Sequence, residues 1–200
     1  GKSTLASILI GHPKYEITKG KIILEGEEIQ EDAVDERARK GLFLSFQYPE
    51  EIPGLTVEDF LRSAREAVTG EKQYIFKFNK LLKEKMAELK MDESYASRYL
   101  NVGFSGGEKK KNEILQLSIL KPKLAMLDEV DSGLDVDATK DVENAIMRYF
   151  DEDKAIIMIS HHLEMVHRVK PDFVHILSNG RIEKTGDISL IEEIQKHRIW

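Results

Sequence analysis

Apolar positions along this chain follow helical spacing in some stretches and form short unbroken runs in others. Residues 2–10 read as a helix that Gly11-His12-Pro13 ends. Residues 20–29 (GKIILEGEEI) read as a short strand pair turning at Gly26, and residues 35–40 as a charged helical segment. Leu42 to Phe46 is a compact apolar run, which predicts a buried strand. Residues 49–54 (PEEIPG), with two prolines and a glycine, predict a loop. From 57 to about 98 the spacing is helical, through Phe60, Ala64, Ala67, Phe76, Leu81, Leu82, Met86 and Leu89, with no strand signal. A further helix is expected over 106–119. After Pro122 the run Leu124 to Leu127 predicts a buried strand ending in acids. Helix 137–150, strand 155–159, helix 162–168, strand 173–177, a turn at Asn179-Gly180, strand 181–184 and helix 187–196 follow.

Strands alternating with helices predict an α/β fold around a mostly parallel sheet. The strand pair at 20–29 adds an antiparallel element, and a helical block interrupts the alternation. The expected division is a core of residues 1–54 and 121–200 with an inserted helical subdomain over 55–120. At 200 residues and 41% apolar the chain can bury one core, and 33% charged residues give it a soluble surface. No stretch approaches the ~18 consecutive apolar residues of a membrane span, and residues 1–10 do not read as a secretory leader. A soluble, cytoplasmic protein without membrane insertion is expected. Cysteine is absent, so the chain cannot hold a metal cluster through its own sulfurs. A net charge of −6 without a basic stripe argues against nucleic acid as a partner. The basic run Lys109-Lys110-Lys111, flanked by Glu108 and Glu113, reads as a solvated helix face.

Gly1-Lys2-Ser3-Thr4 matches the end of G-x-x-x-x-G-K-[ST]. In that loop backbone N–H groups surround phosphate, lysine reaches the outer phosphates and the hydroxyl meets Mg²⁺. Four residues are weak evidence alone, since a capped helix start reads the same. Asp128 and Glu129 end an apolar strand, and ligands of open parallel sheets bind at that edge. Asp128 is expected to hold Mg²⁺ through water and Glu129 to orient or deprotonate an attacking water. Ser105-Gly106-Gly107-Glu108 opens a helix, where paired glycines permit close approach and the helix N-terminus attracts an anion. Ser132-Gly133-Leu134-Asp135 follows the acids, and Ser160-His161 ends the next strand.

Taken in order, these residues resemble the ABC ATPases, P-loop nucleotide hydrolases, over essentially the whole chain. Gly1 to Thr4 match the end of Walker A, Gln47 the Q-loop glutamine, and Phe104 to Glu108 the signature usually written LSGGQ. Asp128 and Glu129 match Walker B and the catalytic glutamate, Asp135 the D-loop and His161 the switch histidine. Within the family, the segments from Phe46 to Gly54, Gly103 to Glu113 and Leu127 to Asp137 are similar to the SufC-type ATPases of the SUF iron–sulfur assembly system. Glu108 and Asp131 depart from the transporter pattern LSGGQ…DEP, and Val130 departs from the serine usual in the subgroup.

The resemblance implies ATP and Mg²⁺ as cofactors, with Ser3, Gln47 and Asp128 around the metal. It implies a transient head-to-tail dimer in which ATP lies between Lys2, Ser3 and Thr4 of one copy and Ser105, Gly106 and Gly107 of the other, with Asp135 beside it. Glu129 and His161 are the catalytic pair, His161 at the γ-phosphate. Soluble scaffold proteins of the SufB/SufD kind are expected to dock near residues 48–100. Lys110 is placed either to pair with Glu129 and hold it from water in a single copy or to lie idle on the surface. The remaining histidines, including His162 and His167, do not form a zinc pattern, and Phe173 and Trp200 read as packing and tail. In the family about thirty to forty residues, including the strand before the P-loop, precede the position of Gly1. A chain starting at Gly1 is expected to fold poorly or bind ATP weakly. Three activities stay open: the SUF-type ATPase, a transporter ATPase docking on membrane-domain helices, and a non-catalytic binding module.

Overall fold

The computed structural model describes residues 1–151, 153–160 and 163–197. The chain runs through α1 (Lys2–Ile10), a short pair β1 (Ile23–Leu24) and β2 (Glu27–Glu28), then α2 (Val34–Arg39) and β3 (Leu42–Ser45). An excursion follows: β4 (Ile52–Thr56), α3 (Val57–Thr69), α4 (Ile75–Glu88), a 3-10 turn at Glu93–Ser97, and β5 (Tyr99–Leu100). Helix α5 (Gly106–Leu120) returns the chain to β6 (Leu124–Asp128). Then come α6 (Val136–Tyr149), β7 (Ala155–Ile159), α7 (Leu163–Val169), the hairpin β8 (Val174–Ser178) and β9 (Arg181–Gly186), and α8 (Ser189–His197).

Strands β3, β6 and β7 form a parallel sheet in that order, with Leu42 beside Leu124 and Leu124 beside Ala155. The strand period of two sends alternate residues to opposite faces. Phe43, Ala125 and Leu127 join the larger apolar cluster, and Leu42 and Met126 join a smaller one with Ala6 and Ile10 of α1. The larger cluster runs without interruption into the helical block, through Val57, Leu61, Phe78, Leu82, Met86 and Leu89. Helix α5 is the connector, with Ile114, Leu115, Leu117 and Ile119 all buried in that cluster. No described helix is long and apolar enough to cross a membrane.

Two readings of the sequence need correction here. The PEEIPG segment is only partly loop, because β4 begins at Ile52 and pairs antiparallel with β5, Ile52 beside Leu100 and Thr56 beside Tyr99. The register is irregular between those pairs, and an edge strand tolerates Pro53 because it need not donate there. The expected boundary at residue 55 therefore falls within β4, and the block carries β5 as well as helices. Phe173, read as packing, is exposed and stacks on His175, while Trp200 lies outside the described residues.

One buried cation fixes the end of α1. Arg37 on α2 is 2% exposed, and its guanidinium donates to the backbone carbonyls of Ile8, Leu9, Gln30 and Asp32 at 2.7–3.1 Å. The guanidinium packs so closely on Gly11, which has a left-handed φ of 84°, that a Cβ there would lie 3.0 Å from Arg37 Nε. Arg37 thus joins the last turn of α1 to the β2–α2 connection. Arg37→Met should lower the unfolding free energy by about 3 kcal/mol or more, because it leaves several buried carbonyls without donors. Urea unfolding measures this, and a loss below about 1 kcal/mol would show those carbonyls reach water.

Candidate nucleotide site

Strand β6 lies between two parallel neighbours, which accounts for its nearly unbroken apolar run. Its C-terminal end delivers Asp128, which is 4% exposed and donates its backbone N–H to Ser45 Oγ of β3 at 3.1 Å. Helix α1 packs against β3 and β6. Its N-terminus has no side-chain cap; Lys2 there is half-buried, and Ser3 and Thr4 are exposed. Uncapped N–H groups beside a lysine and two hydroxyls are a receptor for phosphate. Gly1 sits against β8, its Cβ position 3.6 Å from a Leu177 methyl.

The acids at the strand end are under-satisfied. Asp128 Oδ1 and Asp131 Oδ1 are buried without a hydrogen-bond partner, a costly state for a carboxylate oxygen. Oxygen donors from Asp128, Ser3 and Gln47 suit a hard cation such as Mg²⁺, which keeps waters and substrate phosphates as its other ligands. Among the described residues no group of three His, Asp or Glu could cage a metal alone. Glu129 takes a left-handed φ of 51°, rare for a non-glycine, and its N–H donates to Ile159 O of β7 at 2.8 Å. Gln47 Nε2 donates to Glu129 Oε2 at 2.8 Å. This contact joins the Q-loop glutamine to the candidate base.

Helix α5 grips the Q-loop along its length, which overturns the reading of 109–111 as a solvated face. Lys109 pairs with Glu51 at 2.8 Å. Lys110 is 6% exposed and Nζ makes long contacts of 3.4 and 3.3 Å to the Phe46 and Gln47 carbonyls. Lys111 pairs with Asp141 of α6 at 3.5 Å. One turn on, buried Glu113 accepts from the Phe46 N–H at 2.9 Å. Asn112 donates to Asn101 Oδ1 and Asn101 to the Glu50 carbonyl, at 2.9 and 2.8 Å. Of the two alternatives for Lys110, the idle surface lysine is overturned by its burial, and its link toward Glu129 runs through Gln47: Lys110 reaches Gln47's backbone, and Gln47's side chain reaches Glu129. Burial lowers the Lys110 amine below its usual range, partly opposed by Glu113, Asp128, Glu129 and Asp131.

The signature begins as expected. Ser105 caps α5 in a box with Glu108, and Gly106 stands in open space. Among the described residues no hydrogen bond joins Ser105, Gly106 or Gly107 to Lys2, Ser3 or Thr4 of the same chain. Asp135 caps α6, accepting from the Ala138 N–H at 2.7 Å. Asp131, which stands near the proline of the transporter pattern, accepts from Ser160 Oγ at 2.7 Å and so fixes the end of β7. His161 and His162 lie outside the described residues.

The family model described as ABC transporter matches residues 1–132. The chain belongs to the ABC transporter ATPase family. This ABC ATPase is 49% identical over 197 residues to vegetative protein 296 of Bacillus subtilis (strain 168), covering 98% of the chain and 76% of the relative. It is 48% identical over 198 residues to a probable ABC transporter ATP-binding protein of Streptococcus pyogenes serotype M3, covering 98% and 77%. A probable ATP-dependent transporter, ycf16, of Pyropia yezoensis is 46% identical over 201 residues, covering 98% and 80%. The fold matches the dimeric post-hydrolysis cassette MJ0796 bound to ADP and Pi, with a TM-score of 0.80 at 17% identity over 94% and 81% of the two chains. An ATP-binding subunit of an ABC transporter gives 0.81 at 26% identity over 100% and 79%. The family hydrolyses ATP, which excludes the purely non-catalytic module as the parsimonious reading of this constellation.

Ser45, Asn101, Asn112 and Glu113 join the site without having been singled out in the sequence. The available signal was polar residues in the otherwise apolar half of α5: Asn112, Glu113 and Gln116 are all buried. Burial pushes the Glu113 carboxyl up to about 7, against the Phe46 N–H and the charge on Lys110. A raised folded value gives stability that is full below the unfolded value of 4.5 and is lost as pH rises through about 7. Glu113→Gln, neutral throughout, should therefore gain on the parent by on the order of 3 kcal/mol between about pH 5 and about pH 8. Parallel urea titrations check this; identical pH dependence in the two proteins would refute it.

Proposed function

We propose that this ABC ATPase works as an ATP-driven clamp, two copies closing head to tail on two nucleotides. The carrying observation is the chain of contacts from Glu129 through Gln47 to the signature helix α5. It gives the candidate base, the Q-loop and the signature one mechanical connection. When ATP arrives, Lys2 and the N–H groups of α1 meet its phosphates, and Lys2 offsets developing charge. Asp128, Ser3 and Gln47 would hold Mg²⁺, which supplies charge neutralisation on the phosphate oxygens when bound. With Gln47 turned toward the metal, Glu129 would orient the attacking water. Ser105, Gly106 and Gly107 present the α5 N-terminus to the nucleotide of the second copy, and His161 approaches its γ-phosphate. Separation after hydrolysis moves whatever is docked on the helical block.

We infer further that the moved cargo is a soluble iron–sulfur assembly complex in the cytoplasm, with scaffold proteins docking near residues 48–100. The segments that set the chain apart from transporter ATPases support this, and each departure has a structural task. Glu108 closes the α5 capping box, and Asp131 holds Ser160. The Q-loop also presents Tyr48, which is 81% exposed. A second reading, an ATPase serving a membrane transporter, draws on the names of the Streptococcus and Pyropia relatives. Affinity capture separates them: soluble scaffold partners support assembly, and an integral membrane partner supports transport.

Glu129→Gln in the intact natural chain should reduce ATP turnover by about 10²-fold or more while ATP still binds. The same variant should accumulate as an ATP-dependent dimer in sedimentation. Turnover within about twofold of the parent would exclude Glu129 as the base.

A further inference from the structure

The signature loop is braced by Arg98 and Tyr95, two residues that no motif includes. Arg98 follows the 3-10 turn, and its own carbonyl accepts from the Val57 N–H at 3.0 Å, which anchors it to the start of α3. Its guanidinium lies over two rings, 4.5 Å from the Tyr95 centroid and 4.7 Å from that of Phe104. The rings meet edge to face at 4.8 Å. One guanidinium nitrogen donates to the Gly103 carbonyl at 3.2 Å and lies 3.4 Å from that of Val102. Tyr95 OH donates to one Glu108 oxygen, and the other accepts from the Ser105 N–H at 2.7 Å. The turn so held is conformationally demanding, with left-handed φ of 61° at Asn101 and 66° at Gly103.

These contacts explain why an acid stands at the end of the signature. A carboxylate accepts from Tyr95 and from Ser105 at once, with an oxygen for each; an amide could keep the Ser105 N–H only by turning its NH₂ to the Tyr95 hydroxyl oxygen, which reverses that bond. The Tyr95 hydroxyl and the Ser105 N–H accordingly hold the Glu108 carboxyl below the usual carboxylate range. Glu108 is half-buried in these contacts, while Ser105 and Gly106 are exposed, Ser105 Oγ accepting from the Glu108 N–H at 3.3 Å. The Cβ position of Gly106 has no atom of this chain within 4 Å. The loop is therefore shaped from behind and open in front.

We propose that Arg98, acting through Tyr95, Phe104 and Glu108, is a positioning residue for the nucleotide bound to a second copy of this chain. It touches no nucleotide itself; it sets where Ser105 and the α5 N–H groups stand when the other copy closes. Displacements of about 1 Å in such groups reduce rates about 10²-fold. The inference rests on the head-to-tail reading above. It assigns to Arg98 an effect on the rate in the opposite site and none on ATP affinity in its own.

Turnover in the intact natural chain is the test. Arg98→Ala should lower kcat by about 10- to 10²-fold, with the ATP dissociation constant of the isolated copy unchanged. Tyr95→Phe, which removes only one hydroxyl, should lower kcat severalfold with the same unchanged affinity and an unaltered melting temperature. Lys2→Ala and Ser105→Arg should each be inactive alone, yet regain turnover when mixed, since mixed pairs hold one site with both elements intact. Arg98→Ala mixed with Lys2→Ala should recover to the same extent as the Ser105→Arg mixture. Parental turnover in Arg98→Ala, or recovery with Ser105→Arg but not with Arg98→Ala, overturns the inference. If neither mixture recovers, the head-to-tail reading itself falls, and the inference with it.

Discussion

The site depends on the position of β6 in the middle of a parallel sheet. A strand flanked on both sides must be apolar until it emerges, and the first residue that can carry charge is the one at its end. Asp128 stands at that limit, buried yet with one oxygen lacking a donor. Its neighbours are set from the same edge: Ser45 of β3 takes its N–H, and Ile159 of β7 takes that of Glu129. The left-handed backbone at Glu129 follows from making the turn while staying tied to β7. Strain of this kind, about 1–3 kcal/mol, persists where neighbours over-determine a residue.

Helix α5 turns this edge into a device that can move. Its first turns carry Ser105 at the N-terminus and Lys110 and Glu113 on the face toward the Q-loop, while its last turns fill the apolar core. A rigid helix with polar contacts at one end and close-packed contacts at the other transmits displacement instead of absorbing it. Burying Lys110 and Glu113 is tolerable because each meets backbone groups of Phe46 or Gln47 and each lies in the other's field. These contacts tie the Q-loop backbone at Phe46 and Gln47 to α5.

Element order, the parallel sheet and the acidic strand end were legible because they follow from local periodicity and short motifs. Leu42 to Ser45, Leu124 to Asp128 and Ala155 to Ile159 fall within a residue or so of the expected runs. The PEEIPG segment misled because Pro53 and Gly54 are punctuation in isolation, and only pairing with Leu100 makes part of it a strand. The lysine run misled for a related reason: local composition gives solvation, but a loop from more than sixty positions away covers it.

The sequence by itself determined the chemistry available to this chain. Motif order placed a phosphate loop, two strand-end acids and a glycine-opened helix N-terminus in one fold, and that assignment needed no distances. Tertiary structure alone decided how those groups are held. The Gln47–Glu129 contact, the grip of Lys110 and Glu113 on the Q-loop, and the Arg98 brace behind Ser105 join residues far apart in the chain. Such contacts leave no period and no spacing in a sequence. They exist because buried polar groups must find partners wherever packing places them.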